Sequence, residues 1–352
     1  MLNIATRDCR PPIPEICIGH CTRPQLAGKY YLNLVKGDLG TIQPKGPYMN
    51  RHSPSRREFI LGSTVAAGAA LIGGVPVRAL AQATRRTATD QVALGKTGIK
   101  LSRIGIGTGV NNGGDQVKLG KDNFIKLIHY AYDKGITYLD CAQRYETFGW
   151  MGDAIKGLPR EKLYIQSKIW PDAGVTDILK VIDSHRQNFN TDYIDTMLIH
   201  CRTEDNWTDR WKAFMDGYDE AKSRKWIHAK GVSCHTFPAL QGANASPWVD
   251  VHLVRVNPQG KYMDGQVSEW SPTATNPVQP VVDQIKAMHD KGRGVIGMKI
   301  YGNGDFTNAE DREKSLRFAL ANPNIDALVI GHKTTAEIDE TLERVNRILA
   351  AA

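Results

Sequence analysis

Four side chains spread through the middle of this chain have types that do chemistry: a carboxylate (Asp140), a phenol (Tyr145), an ammonium (Lys168) and an imidazole (His200). A phenol ionises near pKa ~10, so it moves a proton near neutrality only when a neighbour helps it. A second reading of the same residues is a metal-dependent hydrolase or lyase, with the ion held by Asp140 and His200 and with His235 as a third ligand. The six cysteines include no C-x-x-C pair, which leaves neither a zinc knuckle nor a dithiol redox motif.

Each of the four sits where a strand signal ends. The run GITYLDCAQRY reads as a short buried strand that delivers Asp140 and then Tyr145; LYIQSK (163–168) ends on Lys168, and YIDTMLIH (193–200) ends on His200. Around them, strand and helix signals alternate. Helices are expected over 121–134, 176–189, 207–224, 280–290, 309–320 and 335–349, with a shorter piece between the strands 227–233 and 249–256. Further strands are expected over 294–300 and 327–330, and two strand-like runs flank the turn Gly95-Lys96-Thr97-Gly98 ahead of them all. Eight strand-then-helix units without an internal boundary predict a (β/α)8 TIM barrel with an N-terminal hairpin, in which strand ends share one mouth. The alternative, a doubly wound open sheet, lacks its dinucleotide fingerprint, because Gly105-x-Gly107 leads to Val110 where a third glycine is needed.

Charge and leader go together. The formal net charge of +8 is concentrated before residue 84, where ten Lys/Arg face four acids, so only +2 remains for the rest and a basic nucleic-acid face is not expected. Residues 1–83 are read as a leader and residues 84–352 as a single barrel domain. Within the leader, Ser55-Arg56-Arg57-Glu58-Phe59-Ile60, a Gly/Ala-rich apolar run and the exit Ala79-Leu80-Ala81 form an export signal rather than a membrane anchor. The paired arginines resemble the twin-arginine type, which implies the twin-arginine machinery as a partner and a periplasmic or exported location reached after folding in the cytoplasm. Met49 stands where such a signal would start, so residues 1–48 read as an over-extended start or an extension.

Over residues 91–352 the chain resembles the aldo-keto reductases. The likeness is carried by LGKTGIKLSRIGIGTG, D-C-A-x-x-Y (140–145), Ser167-Lys168, Leu198-Ile199-His200, KGVS (230–233) and IGHKTTAEIDETL (330–342), in order along the chain. The resemblance implies hydride transfer from NADPH to an aldehyde or ketone, without a metal. Tyr145 is then the general acid, made acidic by Lys168; Asp140 holds Lys168 charged, and His200 hydrogen-bonds the substrate carbonyl. It places the cofactor on Gly107, Thr108, Ser233, Cys234, Met298, Lys299, Gly331, Lys333, Thr334 and Glu340, with Lys333 and Thr334 toward a 2′-phosphate that would favour NADP. Trp170 would wall the substrate pocket, and the loop 257–280 with Tyr262 and Trp270 would cover it. Several positions depart from the family's pattern: Cys234 for an asparagine, Met298 for an aromatic residue, Leu253 for a glutamine and Glu337 for an arginine. The rival within this likeness is a non-catalytic barrel that binds nucleotide.

Overall fold

The computed structural model describes residues 86–352, apart from 173 and 267–274. The leader, its arginine pair and Trp270 lie outside the described residues.

A hairpin comes first. Strand β1 (Gln91–Ala93) pairs antiparallel with β2 (Lys100–Ser102), closed by the Leu94 N–H donating to the Ile99 carbonyl across a turn in which Gly95 and Gly98 take positive φ. The second strand-like run does not continue straight. At Arg103 it turns into β3 (Ile104–Gly107), the first strand of the barrel. Ser102 fixes the corner: its hydroxyl donates to the Ile104 carbonyl and accepts from the Thr137 and Tyr138 N–H groups.

The remaining strands are β4 (Tyr138–Asp140), β5 (Tyr164–Ile169), β6 (Ile194–Arg202), β7 (Ile227–Cys234), β8 (Val251–Arg255), β9 (Gly294–Met298) and β10 (Ala327–Gly331). They pair in parallel in sequence order, and β10 closes onto β3, which is the (β/α)8 barrel the alternation predicts. Two apolar layers hold it. One fills the barrel, where Leu94 and Leu101 of the hairpin meet Tyr138, Tyr164, Leu198, Val251 and Ile296. The other lies between strands and outer helices; the helix Lys121–Asp133, for example, buries Phe124, Leu127, Ile128 and Ala131 at helical spacing. Among the described residues no helix is long and apolar enough to cross a membrane.

Element ends differ from expectation where side chains intervene. The helix expected from residue 176 starts at Ile178, because Asp177 caps it by accepting from the Lys180 N–H at 2.9 Å. The single helix expected over 207–224 is two, Trp207–Arg210 and Lys212–Ser223, broken at Trp211, whose indole donates to Glu204 Oε1 at 3.0 Å. Strand β6 runs on past His200 to Arg202 through a register shift, with Cys201 at a φ of 56°.

Candidate active site

Asp140 closes β4, and Lys168 lies one residue from the end of β5. The two strands are neighbours, so the side chains meet inside the mouth. Lys168 Nζ lies 2.7 and 2.8 Å from the two Asp140 oxygens, 2.8 Å from the Cys141 carbonyl and 3.2 Å from the Tyr145 hydroxyl. The ammonium is 1% exposed, a placement tolerable only because it is paired and fully hydrogen-bonded. Burial works against its charge, but Asp140 and the Tyr145 hydroxyl outweigh that and raise its pKa above the usual lysine value. Gln166 completes the floor, donating to Asp140 Oδ1 at 2.7 Å and to the Tyr138 hydroxyl at 2.9 Å.

Tyr145 sits in the turn that follows β4, with its N–H donating to the Ala142 carbonyl. Its ring lies against Gly109, where a Cβ would fall 2.2 Å from a ring carbon, so only glycine admits this position. Lys168 does pull the phenol down, as expected from sequence, but it is not the largest influence on it. Burial is the larger influence, and despite the ammonium it pushes the phenol up to about 12, which keeps Tyr145 protonated and able to give a proton. His200 meets Tyr145 edge-on at 5.7 Å between ring centres. Burial, then the charges of Lys168, Arg202, Lys299 and Arg144, hold its pKa well below the ordinary value, so it is a neutral hydrogen-bonding imidazole. Trp170 lies 5.8 Å from His200, also edge-on, and carries the Arg144 guanidinium on its face at 4.3 Å.

From Asp140 and Tyr145 a cleft of about 390 Å³ runs across the mouth to Arg312 and Glu340. Of the cofactor residues expected from sequence, Gly107, Met298, Lys299, Gly331, Lys333 and Glu340 line it. Lys299 takes a φ of 59°, donates to Asn303 at 2.6 Å and is pulled down to about 8 by burial and then by Arg255 and Lys168. Glu340 is held by Arg312 and by Arg344, and Glu337 accepts the Lys333 N–H. Thr108, Ser233, Cys234 and Thr334 are not in the cleft wall. Thr108 is buried and donates to the Asp140 carbonyl; Ser233 accepts from the Cys201 N–H; Cys234 is buried; Thr334 caps the last helix by accepting from the Glu337 N–H. Sequence reasoning missed Arg312, Tyr301 and Gln116 at the cleft, and Arg144 on Trp170. Nothing in the run EDREK (310–314) marks Arg312 out from a solvated helix face.

The metal reading fails on this geometry. Both Asp140 oxygens are committed to Lys168, with Gln166 as well on one of them, and among the described residues no group of three His, Cys, Asp or Glu is placed to hold an ion. The site is thus a closed β/α barrel whose mouth joins a lysine-bound phenol to a long cleft. Residues 103–351 match the Aldo/keto reductase family. Glyoxal reductase of Bacillus subtilis is 29% identical over 213 residues, spanning 55% of this chain and 72% of that protein. Methylglyoxal reductase of Escherichia coli O157:H7 is 31% identical over 132 residues, 37% of this chain and 49% of its own length. An aldo-keto reductase from Klebsiella pneumoniae in complex with NADPH shares the fold at a TM-score of 0.56 and 14% identity, covering 73% of this chain and 89% of that one. The chain belongs to the aldo/keto reductase family and is a carbonyl-reducing oxidoreductase.

Proposed function

We propose that this protein reduces small aldehydes and ketones with NADPH, using Tyr145 as general acid. The observation that carries the reading is the unbroken series of contacts from Asp140 through Lys168 to Tyr145, with His200 beside the phenol. The cleft residues fit a dinucleotide. Gln116 Oε1 is buried there without a protein partner, and Lys333 and Arg312 bring positive charge to the far end. Gly107, Met298, Lys299, Gly331, Lys333 and Glu340 would hold NADPH in the cleft, and the cofactor would supply the hydride needed at a carbonyl carbon.

The chain's own groups do the rest. Neutral His200 donates a hydrogen bond to the carbonyl oxygen, orienting it and stabilising the charge that develops there. Tyr145 passes its proton to that oxygen, and Lys168, held by Asp140, stabilises the phenolate left behind. Small dicarbonyls are the first substrates to try, since the named activities of the two bacterial relatives are reduction of glyoxal and of methylglyoxal. NADP is favoured over NAD by the cations at the far end, although Glu337 stands among them.

Purified protein incubated with NADPH and a panel of short aldehydes and dicarbonyls is expected to consume the cofactor in step with the carbonyl. Loss of neither would overturn the reading. A complete tetrad also speaks against a non-catalytic nucleotide barrel. Ser55-Arg56-Arg57 and the exit Ala79-Leu80-Ala81 support export by the twin-arginine route to the periplasm. Cell fractionation checks this: replacing both arginines by lysine should leave the enzyme uncleaved in the cytoplasm, and unchanged fractionation would refute it.

A further inference from the structure

Beside His200, and outside the lining of the cofactor cleft, lies a tryptophan carrying two guanidinium groups. Arg144 lies 4.3 Å and Arg202 5.6 Å from the Trp170 ring, and the same ring meets His200 edge-on at 5.8 Å. The two arginines are not equivalent. Arg202 is 4% exposed, donates to the His200 carbonyl at 3.1 Å and is paired with Glu204 at 3.0 Å, so its charge is answered and its place is fixed. Arg144 is exposed and directly precedes Tyr145 in the chain; among the described residues its close partner is the Trp170 face. A guanidinium laid on an aromatic ring keeps its donor edge free, and that edge matches a carboxylate two bonds at a time.

We propose that the preferred substrates are short oxo acids, carbonyl compounds bearing a carboxylate, whose anion is taken by Arg144 while the carbonyl lies between Tyr145 and His200. This rests on the carbonyl-reducing reading above and names the substrate class for that site. The stack Arg144–Trp170–His200 sets the spacing: each step is a ring contact, so a carboxylate a few carbons from the carbonyl reaches the guanidinium while the carbonyl stays on His200. The positive surroundings of His200 agree with it, since the charges acting on that ring after burial are those of Lys168, Arg202, Lys299 and Arg144. An anion entering there meets attraction that a neutral aldehyde of the same length does not.

The test compares 4-oxobutanoate with butanal, one chain length with and without the charge, as NADPH-dependent substrates of wild type, Arg144→Gln and Arg144→Lys. Wild type is expected to favour the oxo acid by about tenfold in kcat/KM, through KM, with the preference falling as salt rises. Arg144→Gln should bring the ratio near one, and Arg144→Lys should keep part of it. Succinate should compete with butanal in wild type about tenfold more weakly in the Gln variant. Reduction of both compounds at equal kcat/KM, or a ratio unmoved by Arg144→Gln, overturns the oxo-acid proposal alone. No turnover of either compound by NADPH-bound wild type overturns it together with the carbonyl-reducing reading.

Discussion

The phenol of Tyr145 and the ammonium of Lys168 stand 3.2 Å apart, and burial prevails over the neighbours at the first but not at the second. Tyr145 stays protonated because desolvation outweighs the ammonium, whereas Lys168 stays charged because Asp140 outweighs desolvation. The ion pair is therefore a structural element as well as a chemical one. Lys168→Met leaves Asp140 buried without a counter-charge and should cost about 3–5 kcal/mol of stability, read as a lower urea midpoint at unchanged slope. Adding Asp140→Asn should restore much of that stability but not the turnover; recovery of turnover would mean that the ammonium acts only as scaffold. The four residues were readable in the sequence because Asp140, Lys168 and His200 fall at the end of a strand signal and Tyr145 in the turn that follows the first of them. Their protonation was not, because it depends on how completely the folded mouth excludes water, and no strand pattern carries that.

At the scale of elements, the site depends on two short connections. One is the turn after β3, where Gly109 makes room for the Tyr145 ring; the other is the turn after β4 that presents Tyr145 itself. Gly109→Ala puts a methyl group 2.2 Å from a ring carbon, so the phenol must move. A displacement of about 1 Å is enough to lower kcat/KM by roughly a hundredfold while the barrel remains folded. An alanine variant with wild-type kcat/KM would show that the phenol's position is not what the glycine protects. Strand and helix order was legible from periodicity, but the break at Trp211 and the cap at Asp177 were not, since both come from side chains that find partners. The cleft's far end was legible only in part. Lys333 and Glu340 could be placed by resemblance, yet Arg312 becomes a cleft residue only when the helix Ala309–Ala321 packs on Thr335–Ala350 and its guanidinium meets Glu340. Thr108, Ser233 and Thr334, expected at the cofactor, also serve the fold: Thr108 donates to the Asp140 carbonyl, and Ser233 and Thr334 accept from backbone N–H groups.

For the whole molecule, buried histidines set the response to acid, His200 and His235 at the mouth among them, both held well below the ordinary value by burial first. His185, bonded to Ser167, and His252 are held down to about 3, and His332, bonded to Thr341, to about 4, in each case by burial first. Folded pKa values below the unfolded value near 6.5 mean that the unfolded chain binds more protons. The stability they contribute is complete above that value and is lost as pH falls from about 6.5 toward 3–4. Asp264, raised to about 6 by burial against the pull of Arg255, works in the other direction and offsets part of the loss. Each histidine accounts for up to about 1.4 kcal/mol per pH unit. A drop of at least roughly 2 kcal/mol between pH 7.5 and pH 5 is expected by urea unfolding, and a flat profile would contradict it. The barrel's larger task is to gather a hydroxyl, an ammonium, a carboxylate and an imidazole from three neighbouring strands at one carbonyl. Single-turnover hydride transfer in wild type and Tyr145→Phe, each first saturated with NADPH as judged by protein fluorescence, tests this most directly. The phenylalanine variant should bind NADPH as wild type does and transfer hydride about 10² to 10⁴ times more slowly; equal transfer rates in the two proteins would contradict the role of Tyr145 as proton donor.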